Sequence, residues 1–264
     1  MHTFAVSGRD VTRAWIAACN ALDRNDNPAR TGYHTVVRIA DPTSDDLAFR
    51  AELDRLLEGK ELQAVQTVAN TLFPAALAAQ CTSHTELTTR YGSLYPRMKQ
   101  FPKNHKGTYF GRLVAYPGAK GSTVDQLAMV IDRLKQQCDT KSPMTAAYEI
   151  DVAHPSDGDA GPPLEALVHA AGRDTFFRGF PCLSHCSFQL DRSGTVHAAA
   201  YYRSHYMFER AYGNYLGLGR LLDHIASQAG LARGTLTVMA GYAQLDGPIS
   251  KLRPLLADIP PLAA

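Results

Sequence analysis

The chain has 264 residues, with 27 basic and 25 acidic side chains and a formal net charge of +2. That balance excludes a protein built to coat bulk nucleic acid or an anionic membrane. A hydrophobic content of 45% with 20% charged residues is ordinary globular composition and excludes disorder and fibrous folds. No apolar run approaches the roughly 20 residues of a membrane helix. Arg9, Asp10 and Arg13 interrupt the N-terminal segment, which therefore does not read as a secretory signal. Five scattered cysteines read as reduced thiols. The expectation is a soluble cytoplasmic protein folding as one domain over residues 1–264.

The first element in chain order is a helix, with Val11, Trp15, Ala18 and Leu22 lining one face. The run from Asp23 to Pro28 breaks it. Thr35 to Ile39 reads as a strand on its β-branched content, and residues 47–57 as a second helix. Residues 62–77 read as one longer buried helix, with Pro74 complicating its end. Lys99, Lys103, His105, Lys106 and Arg112, interleaved with Phe101, Tyr109 and Phe110, read as a solvated basic surface. Residues 123–137 form an amphipathic helix through Val124, Leu127, Val130, Ile131 and Leu134. A strand is expected over 144–152 and a surface loop over 154–163. Two strands, 186–190 and 196–202, are joined by a hairpin turn at Gly194. A helix over 214–229 follows, with Gly230 as its C-terminal cap, then a strand at 236–240 and a last helix at 249–256. The whole predicts an α/β (α+β) protein.

Chemistry concentrates in few residues. Cys182 and Cys186 bracket His185. Cysteine and histidine are zinc ligands, but a second ligand cluster is lacking, with His197, His205 and Cys138 only scattered, so no metal is expected. Cys182 also reads as a nucleophile, its backbone restrained by Pro181 and its thiolate favoured by Arg203 or a nearby histidine. The remaining reading is a buried structural cysteine. Arg30 before Thr31-Gly32, and Arg203 before Ser204, suit bidentate phosphate contacts.

Together these segments resemble the thymidylate synthase family. Pro181-Cys182, the Gly194 turn, Tyr201-Tyr202-Arg203-Ser204, Asn214 with its helix, and the stretch from Gly241 to Asp246 follow the order of that family's core. Arg30-Thr31-Gly32 resembles its phosphate loop, and Val124 to Leu127 fits the same frame. The resemblance implies a three-layer fold with a mixed sheet and flanking helices, and a homodimer formed by sheets packed face to face. It implies a pyrimidine nucleotide as ligand. Arg30, Arg203 and Ser204 would hold its phosphate, and Asn214 would read its base edge. Cys182 would add to C6 of the ring, making C5 nucleophilic toward a one-carbon electrophile.

Departures from the family pattern are specific. Leu183, not His, follows the cysteine, and an ungapped alignment back from Arg203 puts Leu183 at the nucleophile position. Cys182 therefore needs a bulge or loop to reach the pocket. The family's catalytic Glu falls near Gln66, its Asp after Arg-Ser-x becomes Tyr206, and its ribose-binding pair becomes Gln244 and Asp246. The arginines lent by a second subunit leave only Lys141. Trp15 is the sole tryptophan, so the tryptophans lining the family's folate site are missing. The sequence ends soon after Asp246, before the family's last strands and folate-closing tail. Methylenetetrahydrofolate as the one-carbon donor is thus implied by the family but poorly matched by the residues. The expected function is a divergent enzyme that methylates or hydroxymethylates C5 of a pyrimidine nucleotide or related heterocycle through Cys182, outside housekeeping thymidylate synthesis. His185, His205, Tyr206 and Glu209 are the candidates for the missing acid and base. The alternatives are a nucleotide binder without chemistry, a dimeric partner protein, and an enzyme using the Cys182–His185–Cys186 cluster for another reaction.

Overall fold

Two helical crossovers, of the kind that parallel strand pairs require, organise the chain. In a computed structural model, residues 2–100, 107–138, 140–154 and 181–257 are described. The first crossover runs from strand β1 (Ala5–Asp10) through helix α1 (Val11–Leu22) to β2 (Thr31–Asp41). Asp10 ends the strand and caps the helix, its carboxylate accepting from the Arg13 N–H at 2.8 Å. Helix α2 (Leu47–Glu58) begins in the same way, at Asp46.

The expected helix over 62–77 is instead two, α3 (Val65–Leu72) and α4 (Ala75–Ala78). Phe73 is extended between them, as the residue before a proline prefers. Helix α5 (His84–Lys99), which the polar sequence does not announce, is followed by α6 (Tyr109–Val114). Residues 101–106 of the expected basic surface lie outside the described residues. Of that group, Arg112 is fully buried rather than solvated, one guanidinium N–H donating to the Val152 carbonyl at 3.0 Å. A small ribbon, β3 (Tyr116–Pro117) and β4 (Thr123–Val124), precedes α7 (Gln126–Gln137). The helix expected from 123 therefore starts three residues later, at its Asp125 cap.

Strand β5 (Tyr148–Asp151) is shorter than expected, and residues 155–163 of the expected loop lie outside the described residues. Strands β6 (Leu183–Leu190) and β7 (Thr195–Tyr202) form the expected hairpin. A short β8 (His205–Tyr206), a π-helical turn (Met207–Ala211) and α8 (Tyr212–Ala229) then lead to β9 (Ala232–Gln244) and α9 (Ile249–Ala257). Gly230 caps α8 in the left-handed conformation, φ +74°.

Among the described residues the main sheet has seven strands, in the order β1-β2-β9-β7-β6-β5 with β8 beside β9. The pairs β1–β2, β7–β9 and β8–β9 are parallel and the rest antiparallel, so the sheet is mixed. Helices α1, α8 and α7 pack on one face of it, and α3 packs on α8. This gives three layers with α8 in the middle. Such burial demands an apolar helix with small residues where neighbours approach. A side-chain carbon on Gly217 would lie 2.7 Å from the Ala69 carbonyl and from Leu72 of α3, so only glycine allows the close pass.

A polar staple also joins the helix layers. His84, at the start of α5, approaches His224 of α8 at 3.0 Å through Nδ1 and Asp125 of α7 at 3.0 Å through Nε2. Burial, then the neighbouring His84, pulls His224 down to about 4. The opposite face of the sheet presents His185 and Ser187 of β6, with Tyr201 of β7 and Met239 of β9 exposed side by side.

Candidate functional site

The strand ends near Cys182 gather the chemistry. Between Leu183 and His185 the pairing of β6 with β7 shifts by one residue: Leu183 faces Tyr202, yet His185 faces Tyr201. Ser184 is the extra residue of this bulge, and its carbonyl accepts the Val152 and Ala153 N–H groups at 3.0 and 3.1 Å. A bulge re-aims the residues before it, so the register correction that Cys182 needed is present in the strand.

Arg203, the first residue of the Arg-Ser pair, wraps the Pro181–Cys182 turn. Its N–H donates to the Cys182 carbonyl and its Nε to the Pro181 carbonyl, each at 2.9 Å. Its guanidinium hydrogen-bonds the Cys182 thiol. The Cys182 N–H donates to the Tyr109 hydroxyl at 3.3 Å. Burial pushes the thiol up, while Arg203 and Arg210 pull it down and Glu209 adds to the rise. The net direction is upward, so the resting group is the thiol.

Glu209 and Arg210 stand on the π-helical turn. The Glu209 carboxylate pairs with Arg210 at 2.7 Å, and Arg210 also donates to Gln63. Asp246, just after β9, holds the turn by its backbone: its two carboxylate oxygens accept the Phe208 and Glu209 N–H groups at 2.8 and 3.2 Å. Burial raises the Asp246 pKa, and the Glu209 charge adds to the effect against the backbone donors. Asp246 therefore serves here as a clamp on the turn, on the strand-end side of Glu209.

The other sequence-derived residues divide between this cluster and elsewhere. Asn214 and His205 are buried and hydrogen-bonded to each other at 3.1 Å, with His205 stacked on Tyr202 at 4.3 Å. Burial drives His205 down to about 3, so it stays neutral and its Nε2 is engaged with the Asn214 amide. Ser204 is half-buried beside them. Tyr206 is exposed and pairs in register with Gln244, which also faces Thr31 of β2. Arg30 has φ +52°, and its carbonyl accepts the Leu245 N–H at 2.9 Å, which puts it at the same sheet end as Asp246. Its guanidinium, however, pairs with Asp23 at 2.9 Å, a carboxylate shared with Arg253.

Two residues are not brought in. His185 turns to the open sheet face, where Glu149 and Asp151 hold it at 2.6 and 2.8 Å. Lys141 is exposed and lies before Thr145, whose carbonyl meets Leu190 at the far end of β6. An eight-residue strand, roughly 25 Å of chain, separates that end from Cys182. Cys186 is buried in the core, and burial raises it to about 12. Among the described residues no group of three metal-ligating side chains is assembled, and no helix is long and apolar enough to cross a membrane.

Arg210, Tyr109 and Gln63 are the neighbours that sequence reasoning missed. Thr108, whose hydroxyl accepts the Gly111 N–H at 3.1 Å, was the available signal for α6 and hence for Tyr109. Trp15 is fully buried, its Nε1 donating to the Met207 carbonyl at 2.7 Å. It is therefore not available to line a folate ring, the role the resemblance gives to a tryptophan.

No family model matches the chain. A curated protein of Methanopyrus kandleri, named "Putative thymidylate synthase", is 27% identical over 138 residues, 52% of this chain and 54% of that protein. A protein of the same name from Methanococcoides burtonii is 40% identical over 73 residues, 27% of this chain and 33% of that protein. The chain thus spans about half of the first relative and a third of the second. Over part of its length the chain is therefore similar to two curated proteins that bear the name of the family its own residues resemble.

Proposed function

We propose that the protein modifies C5 of a pyrimidine nucleotide, or a related heterocycle, by methyl or hydroxymethyl transfer through a covalent Cys182 adduct. The observation that carries this reading is the guanidinium of Arg203 on the Cys182 thiol, with the Glu209–Arg210 pair alongside. Glu209 accepts the thiol proton, and the thiolate adds to C6 so that negative charge develops at C5. C5 attacks the electrophilic carbon of a methyl donor, whose bond to its carrier breaks as the carrier leaves, or of an aldehyde, whose oxygen takes up a proton to give the hydroxymethyl group. The C5 proton leaves to a base, and the C6–S bond breaks to return the thiolate. Arg203, with Ser204 beside it, meets the phosphate, Arg30 joins them when it exchanges Asp23 for that anion, and Asn214 reads the base. Gln244 and Asp246 occupy the sugar end.

The same reading assigns a second copy of the chain to the open sheet face, where Tyr201 and Met239 are 38% and 41% exposed on adjacent strands. Exposed apolar residues that touch one another favour burial in an interface. Lys141 belongs to this assembly as a cation offered to the partner's nucleotide.

A fluorinated pyrimidine monophosphate, incubated with protein and a one-carbon donor, tests the chemistry. A mass increase on the Cys182 peptide, lost in Cys182→Ser, is expected. Nucleotide binding by calorimetry with no adduct on Cys182 would replace this reading with that of a nucleotide binder without chemistry.

A further inference from the structure

His185 has both ring nitrogens on carboxylates: Nε2 on Glu149 at 2.6 Å and Nδ1 on Asp151 at 2.8 Å. Ionised carboxylates only accept hydrogen bonds, and a neutral imidazole has only one N–H. Both contacts are hydrogen bonds only when the ring is an imidazolium. The clasp joins β5 to β6 at Asp151–His185, the last register pair before the bulge. The next two residues of β5's chain, Val152 and Ala153, donate to the carbonyl of Ser184, the bulged residue, two positions from Cys182. The proton on His185 is thus linked through one short strand segment to the geometry that places the thiol.

We propose that His185 is a positioning residue whose imidazolium form pins β5 against the β6 bulge, and that loss of its proton loosens the placement of Cys182. Its Cys182 consequence rests on the proposed role of that thiol, but the device itself does not. Among the described residues, the groups facing the ring are Glu149 and Asp151 on β5, Tyr201 directly across on β7, and Ser187 along its own strand, which itself donates to Glu149 at 2.8 Å. Burial pulls the imidazole down, but the bonds to Asp151 and Glu149 outweigh it and hold the pKa above the ordinary histidine range. Because the folded pKa lies above the unfolded one, the clasp contributes fully below the ordinary range and is lost as pH rises through the folded value.

The experiment is iodoacetamide alkylation of the full chain from about pH 5 to about pH 9, spanning the histidine and cysteine ranges, read on the Cys182 peptide by mass spectrometry. The wild-type rate is expected to show two bends: the thiol's own titration and a lower one with a several-fold change in rate. His185→Gln, which keeps shape but cannot carry the proton, loses the lower bend. In Glu149→Gln the His185 midpoint, followed by imidazole NMR, falls, and the lower bend falls with it. A lower bend that persists in His185→Gln, or stays put while the Glu149→Gln midpoint moves, overturns the proposal, as does its absence from wild type. Should His185→Gln fail to fold, Glu149→Gln decides alone. A wild type with the coupled bend but no adduct with the fluorinated nucleotide would refute the proposed function and leave this device standing.

Discussion

Arg203 and Cys182 are bound twice, backbone N–H to carbonyl at 2.9 Å and guanidinium to thiol. The arginine stiffens the turn and favours the thiolate in one gesture, which a lysine's point charge reproduces only in part. In Arg203→Lys the backbone contact survives while the Nε bond to Pro181 is lost. The alkylation midpoint of Cys182 is expected to move to higher pH, with a several-fold slower reaction at neutral pH. An unchanged midpoint would show that the guanidinium does not act on the sulfur.

His205 gives the fold an acid-sensitive point. Its folded pKa of about 3 lies below the unfolded histidine value. Its contribution is therefore complete above the unfolded value and lost as pH falls toward the folded one, at a limiting slope of about 1.4 kcal/mol per pH unit. Urea denaturation of wild type and His205→Gln, compared at about pH 7 and about pH 5, should show the wild type losing more stability on acidification. Equal losses would place the acid sensitivity elsewhere.

Two glycines should respond oppositely to the same change. Gly92, inside α5, has nothing within 4 Å of a would-be side-chain carbon, so Gly92→Ala should stabilise by about 0.5–1 kcal/mol. Gly217→Ala would press into Leu72 and the Ala69 carbonyl and should destabilise by about 1–3 kcal/mol. Thermal melts of both variants decide the point.

Asp125 both caps α7, accepting the Ala128 N–H at 2.9 Å, and holds His84. Asp125→Ala removes a cap worth about 1 kcal/mol and leaves a largely buried histidine without its acceptor, so the loss in urea denaturation should exceed that of a cap alone. A loss no larger than the cap would mean that the His84–His224 pair is held by packing.

Periodicity made α1, α2 and α8 legible, and Gly230 marked where α8 stops. Strand β1 escaped notice because Gly8, Arg9 and Asp10 have poor strand propensity, yet β2 supplies its ladder. Helix α5 escaped because its buried residues are few, Leu87, Tyr91 and Tyr95 beside His84, and Pro96 interrupts it. At the site, the need for a bulge was legible as a one-residue offset between Cys182 and Arg203, which is a matter of counting. Arg210 was not, because a π-helical turn has no sequence period to read. Nor was the capture of Arg30 by Asp23: residue types show that two groups attract, not which of several partners each finds.

The indole of Trp15 has a further use. It is the one tryptophan of the chain, and its N–H bonds the first carbonyl of the turn that carries Glu209 and Arg210. The protein's own ultraviolet emission is thus wired to that turn, a built-in optical gauge that registers any rearrangement there without a dye or a label.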